Sequence, residues 1–364
     1  LAALSPFPVA VVPNAGIPDS QGCYLETPEE MAAVLSRFAE QGWLNVVGGC
    51  CGTTPEHIAA LRKAMEPFSP RTPPDYDCAR VCGADAVELV QKPAPLLIGE
   101  RTNVLGSRRF RELVRAGRFA EAAEIGRRQV RGGAHLLDVC LADPERDELE
   151  DMVQTVKALR RAVRAPLMVD STDPAVFEAA LQLIPGRPIL NSVNLEDGGV
   201  RLERVAKLAR KYGAVVVAGC IDEHPTDGMA RTAERKLEVA AKLLQRLQQT
   251  GLRRREILLD PLVFPAASGD PKFAGAAAET IRGLRLIKQA FPDCLTVLGI
   301  SNVSFGLPPA AREVLNAVFL HACVEAGLDA AIVHTEQLVR FASLEGEVVR
   351  LAEAVLFEGS QAAV

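Results

Sequence analysis

The stretch APLMVDSTDPAVF, residues 165–177, contains the pattern that decides the fold. An unbroken apolar run, Pro166 to Val169, is typical of a strand covered on both faces, as in a parallel sheet. Asp170 follows directly, and Asp173 stands before Pro174 as a suitable cap for the next helix. For any single strand-end acid, helix capping and function are equally plausible. The stretch predicts one strand–helix unit with a carboxylate at the strand end.

This unit recurs eight times from Leu96 onward. Several helical stretches end in a glycine that suits a helix C-terminus: Gly133, Gly213, Gly251 and Gly327. Eight units in about 270 residues predict an α/β fold, a closed (β/α)8 TIM barrel. An open doubly wound sheet is the alternative, but it usually carries a glycine-rich phosphate loop, and none is evident. The apolar runs are LLIG, AHLLDV, APLMV, RPILNSV, GAVVVAG, EILL, CLTVLGI and DAAIV.

The N-terminal part of the chain contains only two such units. VAVV precedes a predicted helix over Pro28–Gln41, and WLNVV precedes one over Pro55–Met65. Two units cannot close a barrel, so residues 1–68 are interpreted as part of a second barrel. Residues 69–95 are proline-rich and are predicted to be an irregular linker, with the complete barrel over 96–364. The first residue is not Met, which suggests a piece of a longer protein.

Composition excludes several classes of function. The net charge of −5 gives no basic field for nucleic acid, and no apolar run approaches the ~20 residues of a membrane span. Nine scattered cysteines without a signal segment do not indicate a disulfide framework. We therefore expect a soluble, cytoplasmic protein that binds neither nucleic acid nor membrane.

Polar side chains end most strands of the predicted barrel. Because the carboxyl ends of barrel strands line one pocket, these groups should converge. Carboxylates accept paired N–H groups and amides both donate and accept, which suits a neutral, donor-rich ring such as a pterin. Phosphate or a carboxylate ligand would need the opposite polarity. The residues are Glu100, Asn103, Asp138, Asp170, Asn191, Asp222, Asp260 and Asn302.

Adjacent cysteines, Cys50 and Cys51, lie between glycines in VVGGCCGTTP. Neighbouring residues of a regular strand point to opposite faces. The glycines Gly48, Gly49 and Gly52 permit other backbone angles, so both sulfurs can turn toward one soft cation. Two reduced thiols without metal are the alternative interpretation.

Several motifs resemble one family. GERTNVLGS, VDST, NSVN, YGAVVVAG, LDPLVFP and GISNVSFGLP are similar to the pterin-binding domain of cobalamin-dependent methionine synthases. PNAGIP and GGCCGTTP resemble the last two units of that family's homocysteine-binding domain. The resemblance implies a methyltransferase module that moves the methyl group of 5-methyltetrahydrofolate to cob(I)alamin in methionine synthesis.

The resemblance also implies roles for individual residues. Asp170, Asn191 and Asp260 would hold the pterin ring, and Asn302 would approach N5, the nitrogen that bears the methyl group. Two positions depart from the family: Cys140 stands where an asparagine is frequent, and Arg312, expected near the glutamate tail of folate, comes later than in some relatives. Residues expected at the same pocket are Glu100, Asn103 and Asp138.

Two cofactors follow from the same resemblance. Zinc would use Cys50 and Cys51, but its third cysteine lies on a strand outside this chain, and Cys23 is a poor replacement. We therefore expect reduced thiols here, and zinc only with the rest of the homocysteine-binding domain. Cobalamin would be carried by another domain or protein, because DEHPTDG, residues 222–228, misplaces the glycine of the D-x-H-x-x-G motif. His224 is expected to be structural, and His334 to lie near the rim.

Two other functions remain open from the sequence. One is a folate-binding or corrinoid-protein-docking module without turnover. The other is a dihydropteroate synthase-like enzyme, which expels pyrophosphate and should show basic residues at its strand ends. Lysine and arginine are mostly absent from those positions.

Overall fold

A computed structural model describes residues 2–3, 5–74, 79–266 and 273–358. The chain forms two compact units, Leu1–Asp77 and Cys78–Val364. The division lies within the predicted linker of residues 69–95.

The N-terminal unit contains two short parallel strands and two helices. Strand β1 (Ala10–Val11) pairs with β2 (Val46–Val47), and the helices are α1 (Pro28–Glu40) and α2 (Pro55–Met65). Thr27 begins α1 with a capping box, in which its hydroxyl accepts from the Glu30 amide while the Glu30 carboxylate accepts from the Thr27 amide. The apolar faces of both helices pack together around a small core of Ala15, Met31, Ala32, Leu35 and Leu61. Both helices match the sequence prediction to within one residue.

The second unit opens with a hairpin where an irregular linker was predicted. Strands β3 (Arg80–Cys82) and β4 (Ala86–Glu88) are antiparallel. Val81 and Leu89 are each 1% exposed and belong to the apolar cluster inside the barrel. The Cys82 amide donates to the Arg187 carbonyl and the Ala84 amide to the Arg164 carbonyl, both just before barrel strands begin. The hairpin therefore covers the N-terminal end of the barrel.

Eight parallel strands close into a barrel, as the sequence predicts. Each strand pairs with the next along the chain, and the last pairs with the first. The predicted helix-ending glycines at positions 133, 213, 251 and 327 all have positive φ, between 71° and 101°. The strands are β5 (Leu96–Asn103), β6 (Leu136–Cys140), β7 (Leu167–Asp170), β8 (Ile189–Val193), β9 (Val215–Gly219), β10 (Ile257–Asp260), β11 (Leu295–Gly299) and β12 (Ala330–Val333).

Helices surround the barrel. A 3-10 turn, Ile300–Ser304, follows β11 and leads toward α10. In the described part of the chain, no helix combines the length and apolar character needed to cross a membrane. The helices are α3 (Arg108–Arg115), α4 (Phe119–Arg131), α5 (Glu148–Ala162), α6 (Pro174–Leu181), α7 (Val200–Tyr212), α8 (Ala233–Gln249), α9 (Ala276–Ala290), α10 (Pro309–Glu325) and α11 (Gly346–Glu353).

Alternation along each strand divides the side chains between two cores. Leu137, Val169 and Leu259 pack outward in a cluster with the surrounding helices. The cluster inside the barrel takes Ile98, Leu136, Met168, Ile189, Val217 and Leu258. The inward side chains in the N-terminal half of the barrel are apolar. On each strand, the next inward residue lies two positions later, at the C-terminal end, and these residues determine the chemistry of that rim.

Candidate active site

The inward positions at the C-terminal ends of the strands are mostly acids and amides. Ile98 points inward, and Glu100 faces the same rim although the pairing register shifts between Gly99 and Thr102, because its carboxylate accepts from Ser301 and its charge acts on Asp138. A step of two residues leads from inward Leu136 to Asp138 and from Met168 to Asp170. It also leads from Ile189 to Asn191 and from Leu258 to Asp260. The structure therefore brings five of the predicted residues to one rim of the barrel.

Asp138 is the centre of this group and is 2% exposed. Its Oδ2 accepts from Asn103 Nδ2 at 3.2 Å, and the Asn191 amide lies close enough to lower the pKa of this carboxyl. Asn103 is held in turn, because its Oδ1 accepts from the amides of Leu105 and Gly106. The other oxygen of Asp138, Oδ1, has no hydrogen-bond partner among the described residues. Burial, and next the charge of Asp170, raise the pKa of Asp138 well above its usual value.

Asp170 lies beside Asp138 and is supported by a thiol. Cys140 pairs in register with Asp170, and its thiol lies close enough to lower the pKa of the carboxyl group. Burial raises the pKa of the Cys140 thiol, so it remains a protonated donor. Burial also raises the pKa of Asp170 to about 7, despite the effect of Cys140. Cys140 therefore places a possible hydrogen-bond donor beside Asp170.

A cavity of about 250 Å³ adjoins the rim at β5, β11 and β12. The Ser301 hydroxyl donates to Glu100 Oε1 at 3.0 Å, and Arg312 Nε donates to Ser304 Oγ at 3.4 Å. Burial raises the pKa of Glu100 even with Ser301 and two arginines nearby. Buried atoms without partners in the described structure, Asn316 Oδ1 and His334 Nδ1, belong to residues that line the cavity. Its lining includes Glu100, Arg101, Ser301, Arg312, Asn316 and His334.

Sequence reasoning gave His334 little weight and did not identify Ser301. Alternation from Ala330 through Ile332 places His334 inward at the end of β12, and this period was available in the sequence. Ser301 belongs to the 3-10 turn after β11, where strand alternation no longer applies. Its contact with Glu100 is therefore visible only in three dimensions.

Asn302 lies in the same turn as Ser301, and its side chain is exposed. A Cβ added at Gly299 would lie 3.1 Å from Asn302 Nδ2, so the glycine makes room for the amide. Among the described residues, the Asn302 side chain has no hydrogen-bond partner. The amide is thus available to a ligand at the rim.

Asp260 is held by the turn that follows β10. Its Oδ1 accepts from the Leu262 amide at 2.8 Å, and Leu262 has a left-handed backbone with φ of 66°. Burial raises the pKa of Asp260 to about 6, because the hydrogen bond from Leu262 and the nearby Lys236 only partly offset it.

Asp222, predicted to join the pocket, does not. Its carboxylate, with a side chain 2% exposed, pairs with Arg235 and with Lys242 of α8. The nearby His224 accepts from the Asp227 amide through Nδ1, so its ring stabilises the loop. Asp222 lies three residues beyond the end of β9, where strand alternation no longer fixes its direction.

The two thiols of the N-terminal unit lie side by side. Cys50 Sγ and Cys51 Sγ are 3.8 Å apart and both residues are exposed. Two sulfurs at ~2.3 Å from a tetrahedral zinc ion are separated by about 3.8 Å, so the pair fits two corners of such a site. Within the described ranges, no group of three histidine, cysteine or acidic residues is arranged to hold a metal. Cys23 is exposed and does not complete the pair.

The closed eight-stranded barrel places the chain among the (β/α)8 barrels, here with acids and amides at one rim. Residues 99–334 match the family described as pterin binding enzyme, and the chain belongs to this family. Residues 1–65 match the family described as homocysteine S-methyltransferase.

Curated relatives contain both regions. The chain is 42% identical over 341 residues to a methionine synthase from Mycobacterium tuberculosis (strain ATCC 25618 / H37Rv), covering 92% of this chain and 28% of that protein. A methionine synthase from Mycobacterium leprae (strain TN) is 41% identical over 346 residues, with the same coverage. The chain therefore spans just over a quarter of the length of these relatives.

Solved structures support the fold. A dihydropteroate synthase from Xanthomonas albilineans with 4-aminobenzoic acid has a TM-score of 0.51 and 21% identity, covering 76% of this chain and 98% of that one. A dihydropteroate synthase from Stenotrophomonas maltophilia has a TM-score of 0.50 and 17% identity, covering 74% and 95%. At these identities the similarity concerns the barrel alone.

Proposed function

We propose that the chain is the folate-binding methyltransferase module of a methionine synthase. Its barrel would bind 5-methyltetrahydrofolate and present the methyl group to cob(I)alamin. The observation that carries the proposal is the inward ring of Glu100, Asp138, Asp170, Asn191 and Asp260 at one rim. The curated relatives at 41–42% identity support the same assignment.

The rim has the hydrogen-bonding character that a pterin requires. A pterin presents neighbouring N–H groups along one edge, and a carboxylate accepts two such groups at once. Asp138 keeps one oxygen without a partner among the described residues, while Asn103 holds the other. The N–H groups of the ring would offset the burial of these acids, which otherwise disfavours their charge.

Asn302 would assist the leaving group. As the N5–CH3 bond breaks, its electron pair stays on N5, which must gain a proton or a hydrogen bond to leave. The Asn302 amide is exposed and can donate that hydrogen bond. It cannot be the net proton source, so water or an extended hydrogen-bond network must supply the proton. Cob(I)alamin supplies the electron pair that receives the methyl group.

The cavity beside Glu100 would accommodate the rest of folate. Arg312 lines it, together with Asn316 and His334, whose buried Oδ1 and Nδ1 atoms lack partners in the described structure. A guanidinium pairs well with the carboxylates of a glutamate tail. Arg312 would thus bind the glutamate tail. Glu100 would lie between the part of the pocket that holds the pterin and the cavity that holds the rest of folate.

The partners of this module follow from the same proposal. The loop of residues 222–228 does not offer a corrinoid ligand, because Asp222 is ion-paired and His224 accepts an amide. Cobalamin would therefore arrive on another domain or protein. Cys50 and Cys51 would provide two of three zinc ligands once the rest of the homocysteine-binding domain is present. A soluble, cytoplasmic setting fits these substrates.

The direct test is methyl transfer from 5-methyltetrahydrofolate to added free cob(I)alamin. Turnover supports the methyltransferase, and tight binding without turnover supports a folate-binding or docking module instead. A chain indifferent to methyltetrahydrofolate contradicts both. Condensation of a pterin pyrophosphate with 4-aminobenzoate would establish the dihydropteroate synthase alternative.

Asn302→Ala separates the leaving-group role from binding. We expect methyl transfer to slow by about 100-fold, in the range of lost general-acid assistance, while the folate dissociation constant changes by less than about threefold. Asn302→Asp keeps the shape but removes the donor, so it should be equally slow. Equal losses of rate and affinity in the alanine variant would contradict this role.

A further inference from the structure

Lys236 of α8 is a buried cation outside the site described above. The residue is 0% exposed, although lysine is rarely fully buried. Its Nζ donates to the carbonyl of Ala230 at 3.0 Å, to that of Leu262 at 3.2 Å, and to that of Pro261. Two of these three acceptors belong to the turn that directly follows Asp260.

That turn needs support. Leu262 occupies the left-handed region at φ of 66°, which is unfavourable for a residue with a branched side chain. In this conformation its amide donates to Asp260 Oδ1 at 2.8 Å. The Leu262 carbonyl is held by Lys236 and also by Thr280 Oγ1 at 3.0 Å. The strained turn and the direction of the Asp260 carboxylate are therefore linked.

The surroundings are shaped to accept the lysine. A Cβ at Gly283 of α9 would lie 2.7 Å from Lys236 Cδ, so the glycine leaves room for the aliphatic stem. Nζ lies 5.1 Å from the centre of the Phe264 ring, within the range of a cation–π contact. A cation, a glycine, a threonine and an aromatic ring thus converge on one turn.

We propose that Lys236 is a positioning residue for folate binding: it fixes the turn after β10, so that Asp260 faces the rim, and its charge favours the ionised carboxylate. The inference rests on the proposed folate-binding function. Asp260 would contact the pterin, and Lys236 would act only through Asp260.

The electrostatics agree with this geometry. Burial lowers the pKa of Lys236 to about 8, and burial raises the pKa of Asp260 to about 6. At pH 7 both groups are therefore mainly charged. The other titratable groups that face Lys236 are the Cys220 thiol of the β9 end and the Glu279 carboxylate of α9.

The test is the dissociation constant of 5-methyltetrahydrofolate for Lys236→Met, titrated from pH 5 to pH 8. At pH 7 we expect binding to weaken by about 10- to 100-fold, the range for a lost charged hydrogen-bond donor. The acid limb of the affinity profile should move to higher pH, since Asp260 loses a neighbouring cation. A purely structural role would reduce the folded fraction but leave this limb in place.

Lys288→Met is the matched control. Lys288 is partly buried and donates to Asp329 and to the Cys294 carbonyl, just before β12 and β11 begin, at the opposite end of the barrel. Its variant should lose stability while the folate dissociation constant and its pH profile stay unchanged.

Thr280→Val keeps the test decisive if Lys236→Met does not fold. It removes the hydroxyl that holds the Leu262 carbonyl and leaves the lysine, so affinity should weaken by about three- to tenfold. If the wild-type chain does not bind methyltetrahydrofolate, the proposed function fails. If the wild type binds and both folded variants bind equally tightly, the positioning role is overturned.

Discussion

At the scale of single residues, the buried acids of the rim lower the stability of the folded chain and favour the binding of a ligand. Asp138 and Asp170 lie on neighbouring strands, and burial opposes the charge of each carboxyl group. Cys140, Asn103 and Asn191 lower the pKa values of these acids but do not remove the effect of burial. Acids placed in this way are unfavourable for the folded chain and become useful when a ligand supplies N–H donors.

Asp170→Asn should therefore stabilise the ligand-free chain above neutral pH. The pKa of Asp170 is raised to about 7 from 3.8, so its favourable contribution is complete below pH 3.8 and is lost as pH rises through 7. We expect the variant to gain about 1–3 kcal/mol in unfolding free energy at pH 8 relative to its gain at pH 4. Urea unfolding at both pH values measures this. A gain that is independent of pH would contradict the burial argument.

Asp260→Asn should weaken folate binding by about 10- to 100-fold, because an amide replaces a charged acceptor of N–H groups. Asp222→Asn is the matched control. It is another acid beyond a strand end, but it pairs with Arg235 and Lys242 away from the rim. Calorimetric titration of both variants with methyltetrahydrofolate provides the comparison. An unchanged dissociation constant for Asp260→Asn would remove this residue from the site.

The residues show which parts of a site the sequence can predict. Inward acids such as Asp170 are predictable, since strand alternation and a separate cap at Asp173 leave them free. Asp222 and Ser301 were not assigned correctly because both follow the end of a strand, where direction depends on tertiary contacts. Lys236 carries no sequence pattern at all, since its partners are backbone carbonyls.

At the scale of elements, the hairpin of β3 and β4 is the main feature that the sequence did not predict. Its strands have three residues each and lie between proline-rich segments, so alternation is too short to recognise. The long helices and the eight buried strands were predictable because each carries a full period of apolar residues. Short elements depend on the surface they cover, here the N-terminal end of the barrel.

Leu89→Ala tests the contribution of this hairpin. Leu89 is 1% exposed within the inner cluster, so its truncation should lower the unfolding free energy by about 2–4 kcal/mol. The folate dissociation constant should not change, because the residue lies at the end opposite the rim. Val90→Ala, at a neighbouring exposed position, is the control and should have little effect on stability. Chemical denaturation and folate titration of both variants measure the two properties.

At the scale of the whole molecule, the two units differ in how much of their chemistry they contain. The barrel brings inward acids and amides together at one rim, whereas the N-terminal unit presents two thiols without a third ligand in the described ranges. The fold was predictable from eight repeated units, and the family from motifs on both parts. Pairing among the rim residues was not, because it depends on how neighbouring strands align.

Metal analysis of the chain should accordingly find much less than one tightly held zinc ion per molecule. Two thiolates 3.8 Å apart fit a tetrahedral ion but leave half of its coordination to water. Added zinc should be removed readily by a chelator, and Cys50→Ser should abolish the residual binding. Stoichiometric zinc that survives dialysis would contradict this expectation.

Apolar side chains fill the lower barrel and the hairpin of β3 and β4 covers its N-terminal end, so the pocket at the rim opens on one side only. On the proposed function, folate would enter and leave through the opening at the C-terminal rim. A methyl acceptor would reach N5 through the same opening. A large partner domain bound over this rim would enclose the folate in the pocket. We therefore expect an obligatory order, with the folate seated first and released only after the acceptor has withdrawn.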